Sequence, residues 1–174
     1  MYSIDKFNLL FDNVVIHKFE QPKLDSSLKL ILKQKNNYAL VHYKDVKNEF
    51  YNNDEYSNVY FFSNGNLIKT FTACVYHCNP CVDFIRNYFI LYDSKFEDDC
   101  EINKLCLYDL NGELIRYIDY DHEMVRGIYI INDDYFILYR WIWQPIFLTS
   151  LYHFDDMMKI PYDSDNEYLG VDFG

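Results

Sequence analysis

The sequence predicts an all-β fold built from repeated units of short strands, and three observations support this prediction. First, the 174-residue chain contains 18 Tyr and 14 Phe but only two Ala, and aromatic residues favour strands whereas Ala favours helices. Second, the chain matches itself at spacings between 47 and 52 residues. Third, Asn-Gly and similar pairs separate short apolar runs, which is typical of β-hairpins, and helical periodicity is not evident.

The internal repeat is clearest between the segments 59–71 and 105–118. A slide of 47 residues places Asn64 on Asn111 and keeps the apolar residues that follow in step. Further matches, at offsets of 47, 52 and 50, join 88–92 with 135–139, 11–19 with 63–71, and 37–41 with 87–91. A recurring period of this length is typical of stacked supersecondary units.

The third unit shows how each repeat reads as four strands. Its predicted strands are 105–109, 113–118, 127–131 and 135–139. The pair Asn111-Gly112 predicts a tight turn between the first two, because both central residues of such a turn need positive φ. A weaker fourth hairpin runs through 152–160, so the hairpin turns fall near Asp12, Asn64, Asn111 and Asp155.

Certain residues of this third unit carry a family resemblance. An apolar strand ends in Tyr108-Asp109, a Gly-containing turn follows, His122 lies in the next loop, and Asp133-Asp134 lies in the last turn. This order resembles a WD40 repeat, with Tyr108 in the place of the usual Trp. The resemblance covers residues 8–160 when the degenerate copies are counted. It implies a small β-propeller-like repeat fold of about four blades, each a short antiparallel four-stranded sheet.

We therefore expect residues 1–162 to form a single β-propeller-like domain of about four repeats. The acidic segment 163–174 follows, and within it residues 168–173 read as a strand that could pair with the N-terminal strands and close the fourth blade. The competing arrangement is an open half-ring that closes by forming a homodimer. Either one removes exposed strand edges, and we favour the closed monomer.

The net charge of the chain indicates what kind of partner it could bind, and its cysteines indicate the cellular compartment. With 27 acidic and 16 basic residues the net charge is −11, which argues against nucleic-acid binding and fits a protein partner with a basic surface.

Neither a signal peptide nor an apolar run of membrane-spanning length is visible, so we expect no membrane association. Five Cys without a secretion signal indicate reduced thiols in the cytoplasm. The richness in Asn, Tyr, Ile, Lys and Asp is typical of an AT-rich genome, such as that of a large DNA virus or a parasite. A viral origin would place the protein in the host cytoplasm.

One local cluster has the residue types of a metal site: Cys74, His77, Cys78 and Cys81. The Cys-x-x-Cys pair is the usual half of a tetrahedral zinc site, and Cys100 or Cys106 could supply further ligands. Against zinc, the matching second pair is missing and Cys81 falls where the next strand begins, as a small buried apolar residue would. We expect no cofactor, with zinc as the alternative.

Trp141 and Trp143 alternate along a predicted strand, which would place both side chains on one face. Core packing is the first interpretation. The second is a partner-binding anchor, because Trp is enriched at interface hot spots.

The motifs favour binding over catalysis. A nucleophile elbow, a Gly-rich phosphate loop and a spaced acid–base pair are all missing from the sequence. We expect no catalytic residues and a non-enzymatic protein–protein interaction module, a WD40-like scaffold or adaptor. One alternative is a small enzyme with a carboxylate-lined central pocket, using Asp109 or Asp121. Another is an acidic nucleic-acid mimic.

Overall fold

The computed structural model describes residues 1–19, 30–44, 56–74, 82–97, 100–119, 125–143 and 146–155. These residues form antiparallel β-sheets, and none of them is helical, which confirms the predicted all-β class. The segment 163–174, predicted as the closing strand, lies outside the described residues.

Four sheets follow one another along the chain. The first contains β1 (Tyr2–Asp5), β2 (Asn8–Phe11) and β3 (Val14–Lys18). The second contains β4 (Leu30–Lys35), β5 (Tyr38–Lys44), β6 (Tyr56–Ser63) and β7 (Asn66–Cys74). The third contains β8 (Val82–Ile85), β9 (Tyr88–Glu97), β10 (Cys100–Asp109) and β11 (Leu114–Asp119). The fourth contains β12 (Val125–Ile130), β13 (Tyr135–Trp143) and β14 (Ile146–His153).

Each sheet is a meander in which strands consecutive in the chain pair with one another. This grouping differs from the predicted third unit, which placed four strands between residues 105 and 139 in one sheet. In the structure, β10 and β11 are the last two strands of the third sheet, whereas β12 and β13 are the first two strands of the fourth. Seven of the 14 described strands are also longer than the five or six residues predicted for the strands of the third unit, and β9 and β10 have 10 residues each. Periodicity locates single strands and tight turns, but it does not show which pairs share a sheet. Backbone pairing across the whole ladder decides that.

The four sheets stack in chain order along their first strands. β1 contacts β4, β4 contacts β8, and β8 contacts β12. The second sheet is therefore covered on both faces, and β5 shows how. Ala39 and Val41 join a core cluster with the first sheet, whereas Leu40 between them joins the larger cluster shared with the third and fourth sheets. Strict alternation along a strand produces this division, so both faces of β5 are buried.

Aromatic rings fill the larger cluster. Phe89 is fully buried, stacks on Tyr108 at 5.2 Å between ring centroids, and lies 4.9 Å from the ring of Phe61 in the second sheet. Tilted and offset ring pairs of this kind add to the free energy gained from burial alone. The Tyr and Phe content that predicted strands therefore also supplies the core between sheets.

A β-bulge recurs at the same place in the last strand of three sheets. The extra residue is Ile16 in β3, Ile68 in β7 and Ile115 in β11. These positions are related by the offsets of 52 and 47 found in the sequence. A bulge interrupts the ladder and re-aims side chains, and it is set by local geometry. Its recurrence shows that the sequence repeat is also a structural repeat.

Two of the predicted hairpin turns have the backbone conformation that the sequence predicts. Asp12 and Asn13 both have positive φ, as do Asn64 and Gly65, which is the pattern of a two-residue hairpin. Gly65 has a second constraint, because a Cβ there would lie 3.0 Å from the ring of Phe11 in the first sheet.

The third predicted turn, at Asn111-Gly112, differs from its prediction. Only Gly112 has positive φ, and four residues rather than two separate β10 from β11. The amide of Gly112 donates to the carbonyl of Asp109 at 3.0 Å, so the chain makes a β-turn before the glycine. The reason is the carboxylate of Asp109, which binds backbone amides of the loop.

Candidate functional site

The short turns of the meanders collect at one end of the molecule, which we call the turn end. It consists of the turns at residues 12–13, 36–37, 64–65, 86–87, 110–113, 132–134 and 154–155. Hydrogen bonds join turns of successive sheets, as described below, so they lie at the same end. The turn between β1 and β2, at Lys6, lies at the opposite end because successive turns of a meander alternate.

Tyr2 fastens the first sheet to the second. Its hydroxyl donates to the carbonyl of Asn37 at 3.0 Å and accepts the amide of Gly65 at 2.9 Å. Its own amide donates to Oε1 of Gln34 at 3.1 Å. Burial raises the pKa of the Tyr2 hydroxyl, so it stays protonated and keeps donating.

Lysines fasten the second sheet to the third. Lys33 binds Asp83 at 2.7 Å, and the ammonium of Lys35 donates to the carbonyl of Arg86. Lys69 donates to the carbonyl of Gly112 at 2.9 Å, and its ammonium lies 5.9 Å from the ring centre of Tyr108. These bonds hold the turns at 86–87 and 110–113 against the second sheet.

Arg86 fastens the third sheet to the fourth. Its guanidinium binds Asp134 and Asp155 at 2.6 Å each and lies 4.6 Å from the ring centre of Phe154. The hydrogen bonds that Arg86 donates to Asp134 and Asp155 raise the pKa of Arg86, and the bond to Asp155 lowers the pKa of that carboxyl. Arg116 adds a bond to the carbonyl of Phe154 at 2.6 Å.

The carboxylate of Asp109 is hydrogen-bonded to amides of its own loop. Its Oδ1 accepts the amides of Asn111 at 2.8 Å and Glu113 at 2.9 Å. The bond from the Glu113 amide, followed by those from Asn111, lowers the pKa of the carboxyl. An aspartate stabilised as an anion in this way braces the turn and is poorly suited to donate a proton.

The resulting surface is acidic, and hydrogen bonds and ion pairs join its turns across neighbouring sheets. Lys33, Lys35, Lys69 and Arg86 each bind a neighbouring sheet, so their charges are directed inward to the contacts between sheets. Exposed carboxylates, including those of Glu113 and Asp133, lie at the turns. Such an arrangement can present fixed negative charge to a partner without moving its backbone.

The side chains of the predicted metal ligands lie outside the part of the chain that the structure describes. Cys74 is the last residue of β7, and its side chain, together with His77, Cys78 and Cys81, lies outside the described part. Within the part that is described, no group of three metal-binding side chains is found. Cys106 is buried in the larger core cluster. The zinc site stays a prediction, and metal analysis of the untagged protein tests it.

The two tryptophans lie in β13, but their side chains are outside the described part. A register shift between Trp141 and Trp143 interrupts the strict alternation on which their expected common face depends. Whether they pack in the core or anchor a partner stays a prediction. His122 and Asp121 also lie outside the described residues.

Sequence reasoning missed Arg86, although a signal was present. The offset of 50 residues places Arg86 on Asn36, a turn position with positive φ in both copies. Asn is common in that conformation and Arg is not. An Arg at such a position indicates that its side chain makes a specific contact, which here is the contact with the fourth sheet.

Comparisons with known proteins add no relative. No protein-family model, no curated protein and no solved structure matches the chain. Among the described residues, no helix is long and apolar enough to cross a membrane.

Proposed function

We propose that this protein is a non-enzymatic binding module, a scaffold or adaptor that presents its turn end to a protein partner. The observation that carries the proposal is the set of bonds that lock the turns of successive sheets together, from Tyr2 through Lys69 to Arg86. Rigid, pre-ordered surfaces lose little entropy on binding, which favours affinity.

The architecture proposed for this module is a β-propeller with about four blades. Contacts of β1 with β4, β4 with β8 and β8 with β12 support it, because first strands that meet in chain order are expected of blades around an axis. The first sheet ends at β1, next to which residues 168–173 would add the closing strand. A closed ring is monomeric, and we propose the monomer.

Binding is favoured over catalysis by the state of Asp109. An enzyme that uses this carboxylate as an acid or base would need its pKa moved toward neutrality. The structure moves the pKa of Asp109 in the opposite direction, through bonds from Glu113 and Asn111.

The proposed partner is a protein with a basic surface, met in the cytoplasm. A net charge of −11 repels nucleic acids and attracts basic surfaces, mainly by accelerating encounter. The exposed carboxylates of Glu113 and Asp133 lie where such a surface would approach the turn end.

Affinity capture from a lysate of the host cell in which the protein is made tests this function. Three baits are compared by quantitative mass spectrometry: the unaltered protein, Asp133→Lys at the turn end, and Asp5→Lys at the opposite end. We expect one stoichiometric protein partner, weakened by Asp133→Lys and retained by Asp5→Lys. A folded, monomeric bait that captures nothing, or a partner affected equally by both substitutions, would contradict the proposal.

A further inference from the structure

Two Asn-Gly pairs occupy equivalent turns of the second and third sheets. They are Asn64-Gly65 and Asn111-Gly112, related by the offset of 47 residues. Asn followed by Gly is the pair most prone to deamidate without an enzyme, because Gly has no side chain to hinder its backbone nitrogen. Both asparagines are exposed at the turn end. The two sites therefore share the same intrinsic chemistry, and the fold around them makes the difference.

Deamidation of such a pair is an intramolecular reaction. The backbone nitrogen of the glycine bonds to Cγ of the asparagine, the Cγ–Nδ2 bond breaks, and ammonia leaves with the proton that the glycine nitrogen loses. Water then opens the cyclic imide at either carbonyl, which gives aspartate or isoaspartate. The reacting atoms must meet in the right geometry. The glycine amide must therefore be released from its hydrogen bond, and the asparagine side chain must be free to approach it.

At the turn of the second sheet, the first sheet holds the amide of Gly65. That amide donates to the hydroxyl of Tyr2 at 2.9 Å, and Tyr2 is only 1% exposed. The same hydroxyl is fixed by its own bond to the carbonyl of Asn37 at 3.0 Å. A Cβ on Gly65 would lie 3.0 Å from the ring of Phe11, so the first sheet also packs closely on this turn. Freeing the nitrogen of Gly65 thus requires the first sheet to separate from the second.

At the turn of the third sheet, the amide of Gly112 is held within its own loop. It donates to the carbonyl of Asp109 at 3.0 Å. The carboxylate of Asp109 accepts the backbone amide of Asn111 at 2.8 Å and its Nδ2 at 3.2 Å. Lys69 of the second sheet binds the carbonyl of Gly112 and not its amide. The loop can therefore free this amide without separating two sheets, and local opening costs less free energy than opening on a larger scale.

We infer that Asn111 is a site of spontaneous deamidation and that Tyr2 protects the equivalent Asn64 from the same reaction. Asp109 slows the reaction at Asn111 without preventing it. Its carboxylate holds Nδ2, and its negative charge opposes the loss of a proton from the nearby amide of Gly112. The reaction needs only water, so it goes beyond the proposed binding function and does not depend on it.

Deamidation at this position changes the contact between the second and third sheets. Aspartate at position 111 puts a second carboxylate beside that of Asp109, whose Oδ2 lies 3.2 Å from Nδ2 of Asn111. Like charges at this distance are unfavourable. Isoaspartate lengthens the main chain by a carbon atom just before Gly112, whose carbonyl binds Lys69. The turn end thus gains negative charge, and one of the bonds that join its turns weakens as the protein ages.

The test incubates the full-length protein at mildly alkaline pH and follows both sites by peptide mass spectrometry, with chromatography to separate aspartate from isoaspartate. The same incubation in guanidinium chloride gives the intrinsic rate of each site in the unfolded chain. After division by that rate, Asn111 should deamidate about tenfold faster than Asn64, because the smaller opening is more frequent. Equal corrected rates, a faster reaction at Asn64, or no reaction at Asn111 while the unfolded chain reacts would each overturn the inference.

Two variants test the protecting groups. Tyr2→Phe removes the hydroxyl that binds the amide of Gly65, so it should raise the rate at Asn64 and leave the rate at Asn111 unchanged. Asp109→Ala should do the reverse. Each variant contains its own control, because loss of the whole fold raises both rates together. A Tyr2→Phe protein in which both rates rise equally, or neither rises, would contradict the protection assigned to Tyr2. An unchanged rate at Asn111 in Asp109→Ala would contradict the restraint assigned to Asp109.

Discussion

Arg86 and Asp155 lie 69 residues apart in the chain, yet the guanidinium of Arg86 donates to the carboxylate of Asp155 at 2.6 Å. The same guanidinium binds Asp134 at 2.6 Å and covers the ring of Phe154. One side chain from a turn of the third sheet therefore holds two turns that flank strands of the fourth. This relationship adds a charged contact to the apolar core that the two sheets share.

Replacing Arg86 is expected to loosen the fourth sheet. Arg86→Gln removes the charge and both ion pairs, so thermal stability should fall, and the deficit should shrink as salt is raised because exposed ion pairs are screened. Thermal unfolding at low and high salt measures this. Lys18→Gln removes the same charge from an exposed position on β3 and serves as the control. An Arg86→Gln deficit that does not change with salt would show that packing on Phe154, rather than charge, is what matters.

Gly65 is expected to tolerate Ala less well than Gly112. Both have positive φ, which costs a side-chain-bearing residue about 1–2 kcal/mol. At Gly65 the new Cβ would also lie 3.0 Å from Phe11, whereas at Gly112 the nearest atom is 3.5 Å away. We expect Gly65→Ala to cost about 1 kcal/mol more than Gly112→Ala.

Urea unfolding of both glycine variants gives the two losses. The matched control is Gly65→Ala combined with Phe11→Leu, compared with Phe11→Leu alone. Relief of the extra loss in that background would identify the Phe11 ring as its cause. Equal losses at the two glycines in the native background would show that the close approach is unimportant.

Asp109 is expected to stabilise its loop only while ionised. Because the pKa of its carboxyl is lower in the folded chain, this stabilisation is present above the ordinary pKa of about 4 and is lost as pH falls through the folded value. Asp109→Ala should cost about 1 kcal/mol at neutral pH, since two amides lose their acceptor.

The pH profile separates charge from hydrogen bonding at this loop. Asp109→Asn keeps an oxygen for the amides of Asn111 and Glu113, so it should retain part of the stability and lose the pH dependence. Urea midpoints measured from pH 3 to pH 7 give both quantities. An Asp109→Ala protein with an unchanged acid profile would refute the role assigned to the carboxylate.

His17 is expected to destabilise the fold as the pH falls below neutrality. Its ring lies among Phe19, Tyr60 and Phe62, with centroid distances of 4.6, 5.3 and 5.7 Å. Burial lowers the pKa of His17, so the unfolded chain binds the proton more readily. Stability is therefore fully present when His17 is neutral and declines as pH falls from about 6.5 through the folded pKa.

His17→Phe removes this titration while keeping a ring in the cluster. The difference in urea midpoint between pH 8 and pH 5 should be smaller in the variant than in the unaltered protein. The difference between the urea midpoints of the two proteins at pH 8 measures any change in packing, and it is subtracted from the difference at pH 5. An identical pH dependence in both proteins would assign the acid sensitivity to groups other than His17.

The outcome at particular residues shows what the sequence could predict. Asn64 and Gly65 formed the expected turn because their conformational preferences are local. Asn111 did not, since the side chain of Asp109 competes for the same amides. The sequence could indicate that Arg86 makes a contact but not with which residues, because its partners are supplied by turns 48 and 69 residues away. The periodicity of a sequence does not specify a contact between such distant turns, because that contact depends on how the sheets stack.

The pairing of each strand with its neighbour in the chain has a consequence for biosynthesis. Every ladder described here joins consecutive strands, so a sheet needs only one continuous stretch of polypeptide. On the ribosome, the hairpins of the third sheet can form before any residue of β12 has emerged. The bond from Arg86 to Asp155 must wait until β14 has left the exit tunnel. Order of emergence thus becomes order of assembly, and the last sheet to be made is fastened by an arginine that was already in place.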